Sequence, residues 1–232
     1  MQDIGFDVIS DLNLDPNEYF NWEGKSTSLY CLVAGNISSD LRTVLQTLGH
    51  LNRFYQGVFY TPGILEYETS TKIVSRTEEL LAITKSLPNV CMLHQNVAMI
   101  DGIAIIGING WSNVKDELTV ENLLPAAARY EEITYLNKAI GRLQRHLDIK
   151  KVIVMSSAVP NPDLYFGERP EVVDDQMPLQ IALESDTEHK VSHWVFGTYG
   201  KSADTTIDNI NFISNPYYRK SPYWAKRITL SV

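Results

Sequence analysis

The sequence predicts an α/β fold in which β-sheets pack together and helices lie outside them. Short β-branched and apolar runs alternate with segments of helical period along the whole chain, the pattern of a layered α/β domain. Of the 232 residues, 44% are hydrophobic and 21% are charged, which suffices to bury a core without disulfides or metal. We expect one domain over residues 1–232, with 215–232 forming an aromatic and basic C-terminal tail.

The N-terminal half of the sequence contains four predicted strands and two predicted helices. Apolar, β-branched runs bounded by turn residues place the strands at 4–10, 29–34, 58–61 and 90–93. Ser38, Ser39 and Asp40 are helix N-cap residue types, so a helix is expected from there to about His50. A second helix is expected over 71–85.

The rest of the chain continues this alternation. Asp101-Gly102 lies between two apolar runs and predicts a β-hairpin, because glycine adopts positive φ at low cost. A helix with one apolar face follows, and its predicted core residues are Ile133, Leu136, Ile140, Leu143 and Leu147. Beyond it we expect a strand at 151–155, a helix at 178–184, and strands at 193–196, 203–207 and 210–214.

Composition argues against several classes of protein. The net charge of −8 argues against nucleic acid as the main partner, because phosphate binding needs a positive surface. No apolar run is long enough to span a membrane, so no membrane contact is expected. Cys31 and Cys91 both lie in apolar runs, which predicts reduced, buried thiols and a cytoplasmic location.

Five loops that follow predicted strands contain small and polar residues. They read Asp11-Leu12-Asn13, Gly35-Asn36, Gly63-Ile64-Leu65-Glu66, Ser156 and Gly197-Thr198-Tyr199-Gly200. In order and spacing this series resembles the signature of the calcineurin-like metallophosphoesterases, which runs Asp-x-His, Gly-Asp, Gly-Asn-His-Glu, His and Gly-His-x-His. The resemblance extends from residue 4 to about 222. It implies a four-layer αββα sandwich of two mixed sheets flanked by helices.

The resemblance also implies what the site has lost. Enzymes of that family hold two divalent cations with converging carboxylate, imidazole and amide ligands. Asp11 matches the first metal carboxylate, whereas the other signature positions carry Asn13, Asn36, Ile64, Leu65, Ser156, Thr198 and Gly200. Turn residues such as Gly35 and Pro62-Gly63 are kept. We therefore expect a vestigial site with no catalytic residue, metal or cofactor, in a degenerate member of the family that is not an enzyme.

The expected function is that of a scaffold, structural or protein-interaction subunit. Its partner would be another protein or a second copy in a larger assembly, such as a phage virion, by analogy with short family members of bacteria and tailed phages. One alternative is residual or single-metal phosphoesterase activity, with Asp11, Asn13, Asp15 and Asn36 supplying oxygen ligands. Another is a sensor that binds a nucleotide without hydrolysing it. Asp11 by itself is expected to be a turn or cap residue and is not assigned as a metal ligand.

The tail is the second candidate surface. Residues 215–227 interleave aromatic and basic side chains on an acidic protein, and such residues dominate protein interfaces and stack on bases. The expected contact residues for a protein, or locally for a nucleic-acid strand, are Tyr217, Tyr218, Arg219, Lys220, Tyr223 and Trp224. The alternative is a C-terminal strand that covers a sheet edge.

Overall fold

Two mixed β-sheets face each other, and each carries helices on its outer side. This arrangement comes from a computed structural model that describes residues 2–68, 73–111, 120–164, 183–197, 200–219 and 222–232. The predicted α/β class, with two mixed sheets flanked by helices, is confirmed. No helix among the described residues is both long and apolar enough to cross a bilayer.

The first sheet has the strand order β11-β1-β2-β3-β4. Strands β1 to β4 run parallel to one another, and β11 is antiparallel to β1 at the outer edge. The bounds are β1 (Asp3–Ser10), β2 (Tyr30–Ala34), β3 (Gly57–Thr61), β4 (Val90–Met92) and β11 (Lys226–Ser231). Most of β2 and all of β3 are buried, as expected for strands covered on both faces.

The second sheet has the order β5-β6-β7-β8-β10-β9. Strands β6, β7, β8 and β10 are parallel, and the edge strands β5 and β9 are antiparallel to their neighbours. The bounds are β5 (Asn96–Ile100), β6 (Ile103–Ile108), β7 (Lys151–Ser156), β8 (Val191–Phe196), β9 (Ala203–Ile207) and β10 (Ile210–Ser214). The predicted hairpin joins β5 to β6, with Asp101 and Gly102 both at positive φ.

Helices cover the outer faces of both sheets. They are α1 (Leu41–Leu51), α2 (Ile64–Tyr67), α3 (Ile73–Lys85) and α4 (Val120–Leu143), with a short 3-10 helix at Pro162–Leu164. Asp40 caps α1 as predicted, since its Oδ2 accepts a hydrogen bond of 2.9 Å from the Thr43 N–H.

Three groups of buried side chains hold the four layers together. Phe6 and Leu32 of the first sheet meet Ile153 of the second in the central core. Leu48 of α1 and Leu80 of α3 pack on the outer face of the first sheet. The outer face of the second sheet is covered by α4, with Leu136, Ile140 and Leu143 buried against Val154 and Trp194. The helices thus fix both sheets from outside.

The sequence predictions differ from the structure in two places. Leu147 was expected in the core, but α4 ends at Leu143, so the side chain lies outside the helix and is 84% exposed. Strand β11 was not predicted as an element with these bounds. The expected helix at 178–184 lies largely outside the described residues. Cys31 and Cys91 are free thiols.

Candidate functional site

The parallel strands of both sheets have their carboxyl ends on the same side of the molecule. We call the loops that follow these ends the carboxyl edge. It is defined by one residue after each of β1, β2, β3, β7 and β8, namely Asp11, Asn36, Gly63, Ser157 and Gly197. The two sheets approach closely, because a Cβ atom added to Gly35 would lie 2.7 Å from Ser157 Cβ. Ligand sites of open α/β sheets lie beyond such strand ends.

Asp11 and Asn36 form the polar centre of the carboxyl edge. Only 2% of Asp11 and 6% of Asn36 is exposed. The Asn36 Nδ2 donates to Asp11 Oδ1 at 2.8 Å, and the Leu65 N–H donates to Asn36 Oδ1 at 3.1 Å. Both residues have left-handed backbones, with φ of 47° and 55°, a conformation that Asp and Asn adopt more readily than other non-glycine residues.

Glycines let the loops approach these two side chains. A Cβ atom on Gly63 would lie 2.4 Å from Asn36 Oδ1, and one on Gly197 would lie 2.8 Å from Asp11 Oδ1 and 2.6 Å from Ala34 O. Such distances are shorter than van der Waals contact, so a larger residue would push the loops apart. The glycines therefore set the size of the site.

The carboxylate of Glu66 joins two of the loops. It accepts hydrogen bonds from the backbone N–H groups of Asn36 at 3.1 Å, Ile37 at 2.6 Å and Gly63 at 2.7 Å. Burial raises the pKa of Glu66 to about 7, although the backbone hydrogen bonds act in the opposite direction. Glu66 thus positions the Asn36 and Gly63 loops and is itself inaccessible.

A second buried carboxylate, Glu132 of α4, does the same for the loop after β6. It accepts from the N–H groups of Asn109 and Gly110, both at 2.7 Å, and burial raises its pKa to about 7. Asn109 Nδ2 in turn donates to Pro62 O at 3.0 Å, which links the two sheets. Sequence analysis missed Glu132. Glu132 lies four residues before Leu136, a predicted core residue, and this spacing places both on the same face of the helix. That spacing could have predicted that Glu132 is buried.

The other predicted site positions do not join this centre. Asn13 is exposed, and its Nδ2 donates to the Asp11 carbonyl oxygen at 3.1 Å. The Ser156 hydroxyl points away, donating to Ala158 O at 2.7 Å and accepting from Trp194 Nε1 at 2.8 Å. The neighbouring Ser157, and not Ser156, lies at the carboxyl edge. Gly200 is exposed, and Thr198 lies outside the described residues.

Ile64 and Leu65 begin α2 beside the carboxyl edge and are partly buried. The resemblance places a metal-binding amide and a proton-donating histidine at these positions. An alkyl side chain offers neither a ligand nor a proton. Leu65 contributes only its backbone N–H, to Asn36 Oδ1.

The donor set at the carboxyl edge does not fit two divalent cations. Asp11 is the carboxylate among the residues that define this edge, and the described stretches contain no group of three or more His, Cys, Asp or Glu side chains that could hold a metal. Asp11 and Asn36 together offer carboxylate and amide oxygens, which are donor types that a single magnesium or calcium ion binds.

The tail packs across the loop after β1. The Tyr217 N–H donates to Ser10 O at 3.2 Å, and Tyr223 is buried against Trp22 and Phe20. Arg219 binds Asp15 at 2.9 Å and Glu18 at 3.0 Å. Strand β11 then covers the edge of β1, as the alternative interpretation of the tail expected.

The tail therefore offers fewer surface residues than the sequence suggested. Tyr223 is only 6% exposed, while Tyr218 is 46% and Trp224 60% exposed. Lys220 lies outside the described residues. Because Arg219 is engaged within the chain, a contact surface would centre on Tyr218 and Trp224, and it stays a prediction.

Comparisons with solved structures identify a metallophosphoesterase-like fold. The phosphopantetheinyl hydrolase PptH of Mycobacterium tuberculosis is similar with a TM-score of 0.65 and 14% identity, over 97% of this chain and 96% of that chain. A putative 5'-nucleotidase of Staphylococcus aureus is similar with a TM-score of 0.58 and 14% identity, over 99% of this chain and 51% of that one.

A third similar structure is GAP50, described as the anchor in the inner membrane complex of Plasmodium. Its TM-score is 0.50 and its identity 9%, over 92% of this chain and 71% of that chain. No family model and no curated protein matches the sequence. The likeness thus rests on structure alone, and at these identities it shows the fold.

The expectation that the protein is not an enzyme is contradicted by these comparisons. Among the structures that share its fold are the phosphopantetheinyl hydrolase and the putative 5'-nucleotidase. The expectation assumed that the reaction needs the complete ligand set of the family, so that replaced ligands imply loss of activity. Residue types alone could not test this assumption.

The glycine at position 197 should be required for stability. Gly197→Ala is expected to lower the free energy of unfolding by about 1–3 kcal/mol, because the added methyl group would overlap Asp11 Oδ1 and Ala34 O. Gly49→Ala is the matched control, since a Cβ there would lie 3.6 Å from Leu87 Cδ2. Inside α1 it should raise stability by up to about 1 kcal/mol. Urea denaturation measures both, and equal effects would contradict the tight packing.

Glu66 should make stability depend on pH. Its pKa is raised from 4.5 to about 7 in the folded protein, so between these values the folded protein keeps a proton that the unfolded chain has released. The stability contributed by this group is full below pH 4.5 and is lost as pH rises to 7. The advantage in unfolding free energy of the wild type over Glu66→Gln should therefore fall by about 3 kcal/mol from pH 4.5 to pH 8.

The measurement for Glu66 is urea denaturation of both proteins at several pH values. Taking the difference between wild type and variant cancels the titration of all groups that the two proteins share. Glu68→Gln is the matched control, since Glu68 is exposed and lies two residues further along the chain, and a much smaller change is expected. A wild-type advantage that grows with pH would show that the Glu66 carboxyl is not held in a desolvated site.

Proposed function

We propose that the protein hydrolyses a phosphate ester at the carboxyl edge, with one hard divalent cation beside Asp11. The observation that carries the proposal is the buried Asp11 carboxylate, whose Oδ1 accepts a hydrogen bond of 2.8 Å from Asn36 Nδ2. Both side chains lie at the strand ends of a phosphoesterase-like fold. The proposal corresponds to a single-metal version of phosphoesterase chemistry.

Charge explains why a cation belongs to the proposal. A phosphate ester is an anion, and it would be repelled by the Asp11 carboxylate in a buried, low-dielectric site. The described residues that define the carboxyl edge include no Lys, Arg or His to offset this repulsion. A bound divalent cation would supply the positive charge that holds the phosphate and lowers the pKa of an attacking water.

The contacts of Asp11 and Asn36 keep the site organised. Asn36 Nδ2 donates to Asp11 Oδ1, and the Leu65 N–H fixes the Asn36 amide by donating to its Oδ1. Glu66 holds the backbone of the Asn36 loop. The carboxylate therefore needs little reorganisation to act, which is the main way in which a fold favours such reactions.

The residues at the start of α2 point to a preferred kind of substrate. Leu65 cannot protonate a leaving group, and an enzyme without a general acid acts best on esters whose alcohol leaves as a stable anion. Aryl phosphates and aryl phosphodiesters fit this requirement better than alkyl esters. The expected assembly partner, with a cytoplasmic or virion location, stays a prediction beside this proposal.

Turnover of an aryl phosphate should depend on Asp11 and on a divalent cation. The purified protein is expected to hydrolyse p-nitrophenyl phosphate or bis-p-nitrophenyl phosphate with manganese or magnesium, and to lose this activity in excess EDTA. Asp11→Asn should lower turnover by at least about 100-fold, because the amide cannot supply the anionic ligand. An alkyl phosphate should react much more slowly than the aryl esters.

Asp148→Asn provides the control for this experiment. Asp148 is exposed and lies beside Gly102, at the opposite end of β6 and β7 from the carboxyl edge, so its loss should leave turnover unchanged. Melting temperatures would show that both variants are folded. Absence of turnover with every cation tested, or turnover that survives Asp11→Asn, would overturn the proposal.

A further inference from the structure

A cavity of about 510 Å³ lies between α3 and α4, apart from the polar centre at Asp11. The first turns of α3, the connection between β4 and β5, Trp111 and the side chains of α4 from Ala127 to Glu131 line it. Its volume falls within the range of small-molecule sites. None of the residues that define the carboxyl edge lines this cavity.

The walls of the cavity are mainly apolar. Ile73, Val74, Trp111 and the two alanines Ala127 and Ala128 supply them. Val74 is 72% exposed, while Trp111 is only 5% exposed and packs edge-on against Tyr67 with ring centroids 4.8 Å apart. Trp111 is therefore held in place from behind, and only a small part of it borders the cavity.

Among the described residues that line the cavity, the charged side chains are two carboxylates. Glu78 of α3 and Glu131 of α4 line it from opposite sides, and both are exposed. The described lining contains no Lys or Arg. Burial lowers the pKa of His94, so its imidazole is neutral near pH 7. Arg129 stands nearby, but its Nη1 donates to Trp111 O at 2.6 Å and it is not a lining residue.

From this combination we propose that the cavity binds an organic cation, namely a small ammonium compound with an aromatic or aliphatic body. The apolar walls take the body of the ligand, as in most small-molecule sites. Glu78 and Glu131 attract the ammonium group from both sides, and the part of Trp111 that borders the cavity adds apolar contact with the body of the ligand. The site is separate from the proposed hydrolysis and does not depend on it.

Three indole compounds of similar size test the charge preference. Tryptamine is a cation at neutral pH, tryptophol is neutral and indole-3-propionate is an anion. Isothermal titration calorimetry at low salt should rank their affinities in that order. Tryptamine is expected to bind about 3- to 10-fold more tightly than tryptophol, the effect of two partly solvated carboxylates. This advantage should shrink at about 0.5 M salt, because salt screens exposed charges.

Two sets of variants locate the binding site. The double variant Glu78→Gln, Glu131→Gln should bring the affinity for tryptamine down to that for tryptophol, while the affinity for tryptophol stays the same. Ala127→Trp should fill the cavity and abolish binding of all three compounds. Glu188→Gln is the matched control, since Glu188 is exposed beside Gln144, beyond the opposite end of α4, and should change nothing.

The outcomes of this experiment separate the cavity from the carboxyl edge. Absence of tryptamine binding up to about 10 mM, the weak limit for a ligand of this size, would overturn the proposal. Equal affinities for the cation and the neutral compound would overturn it too, as would a preference that persists in the double variant. Because binding is measured without turnover, a protein that fails to hydrolyse phosphate esters can still confirm the cation site.

Discussion

Three backbone N–H groups from two loops converge on the Glu66 carboxylate, and the geometry of the carboxyl edge depends on that convergence. The loops after β2 and β3 turn sharply, and left alone their N–H groups would be buried without acceptors. A buried polar group without a partner costs about 1–3 kcal/mol. Glu66 removes this cost for both loops at once, so it sets the distance between Asn36 and Gly63. The position of the Asp11 carboxylate follows from Asn36.

Glu132 repeats this arrangement in the second sheet. It binds the N–H groups of Asn109 and Gly110 from α4, while Asn109 reaches across to Pro62 in the loop held by Glu66. The two carboxylates are thus connected through a short series of hydrogen bonds that crosses from one sheet to the other. Such a series places the strand ends of two separate sheets in register, which side-chain packing in the central core alone does not do.

Much of the fold could be predicted from the sequence because strand and helix periods are local. The runs around Val33 and Ile153 are apolar enough to identify buried strands, and Asp101-Gly102 identifies its hairpin. Leu147 was misplaced because nothing in the spacing of the apolar residues marks where α4 ends. Of the two interpretations of the tail, a strand over a sheet edge was the correct one, but its pairing with β1, at the other end of the chain, leaves no local pattern.

The candidate site was predicted in part. Asp11 and Asn36 were found from their places after two strands, and the structure brings their side chains together. Ser157 was passed over in favour of its neighbour Ser156, because strand ends cannot be fixed to one residue from sequence and a shift of one residue reverses the side-chain direction. The chemistry could not be judged from residue types, since the contact between Asp11 and Asn36 and the role of Glu132 become visible only in three dimensions.

Strand β11 also bears on how the protein folds. It pairs with β1 so that Asp3 lies opposite Ser231, and this pairing closes a loop that contains nearly the whole chain. Contacts between such distant segments form slowly, because closing so long a loop costs chain entropy before the contacts that offset this cost have formed. Until β11 arrives, the outer backbone groups of β1 are unpaired and can template pairing with another chain. The final residues of the sequence therefore protect the first strand from aggregation.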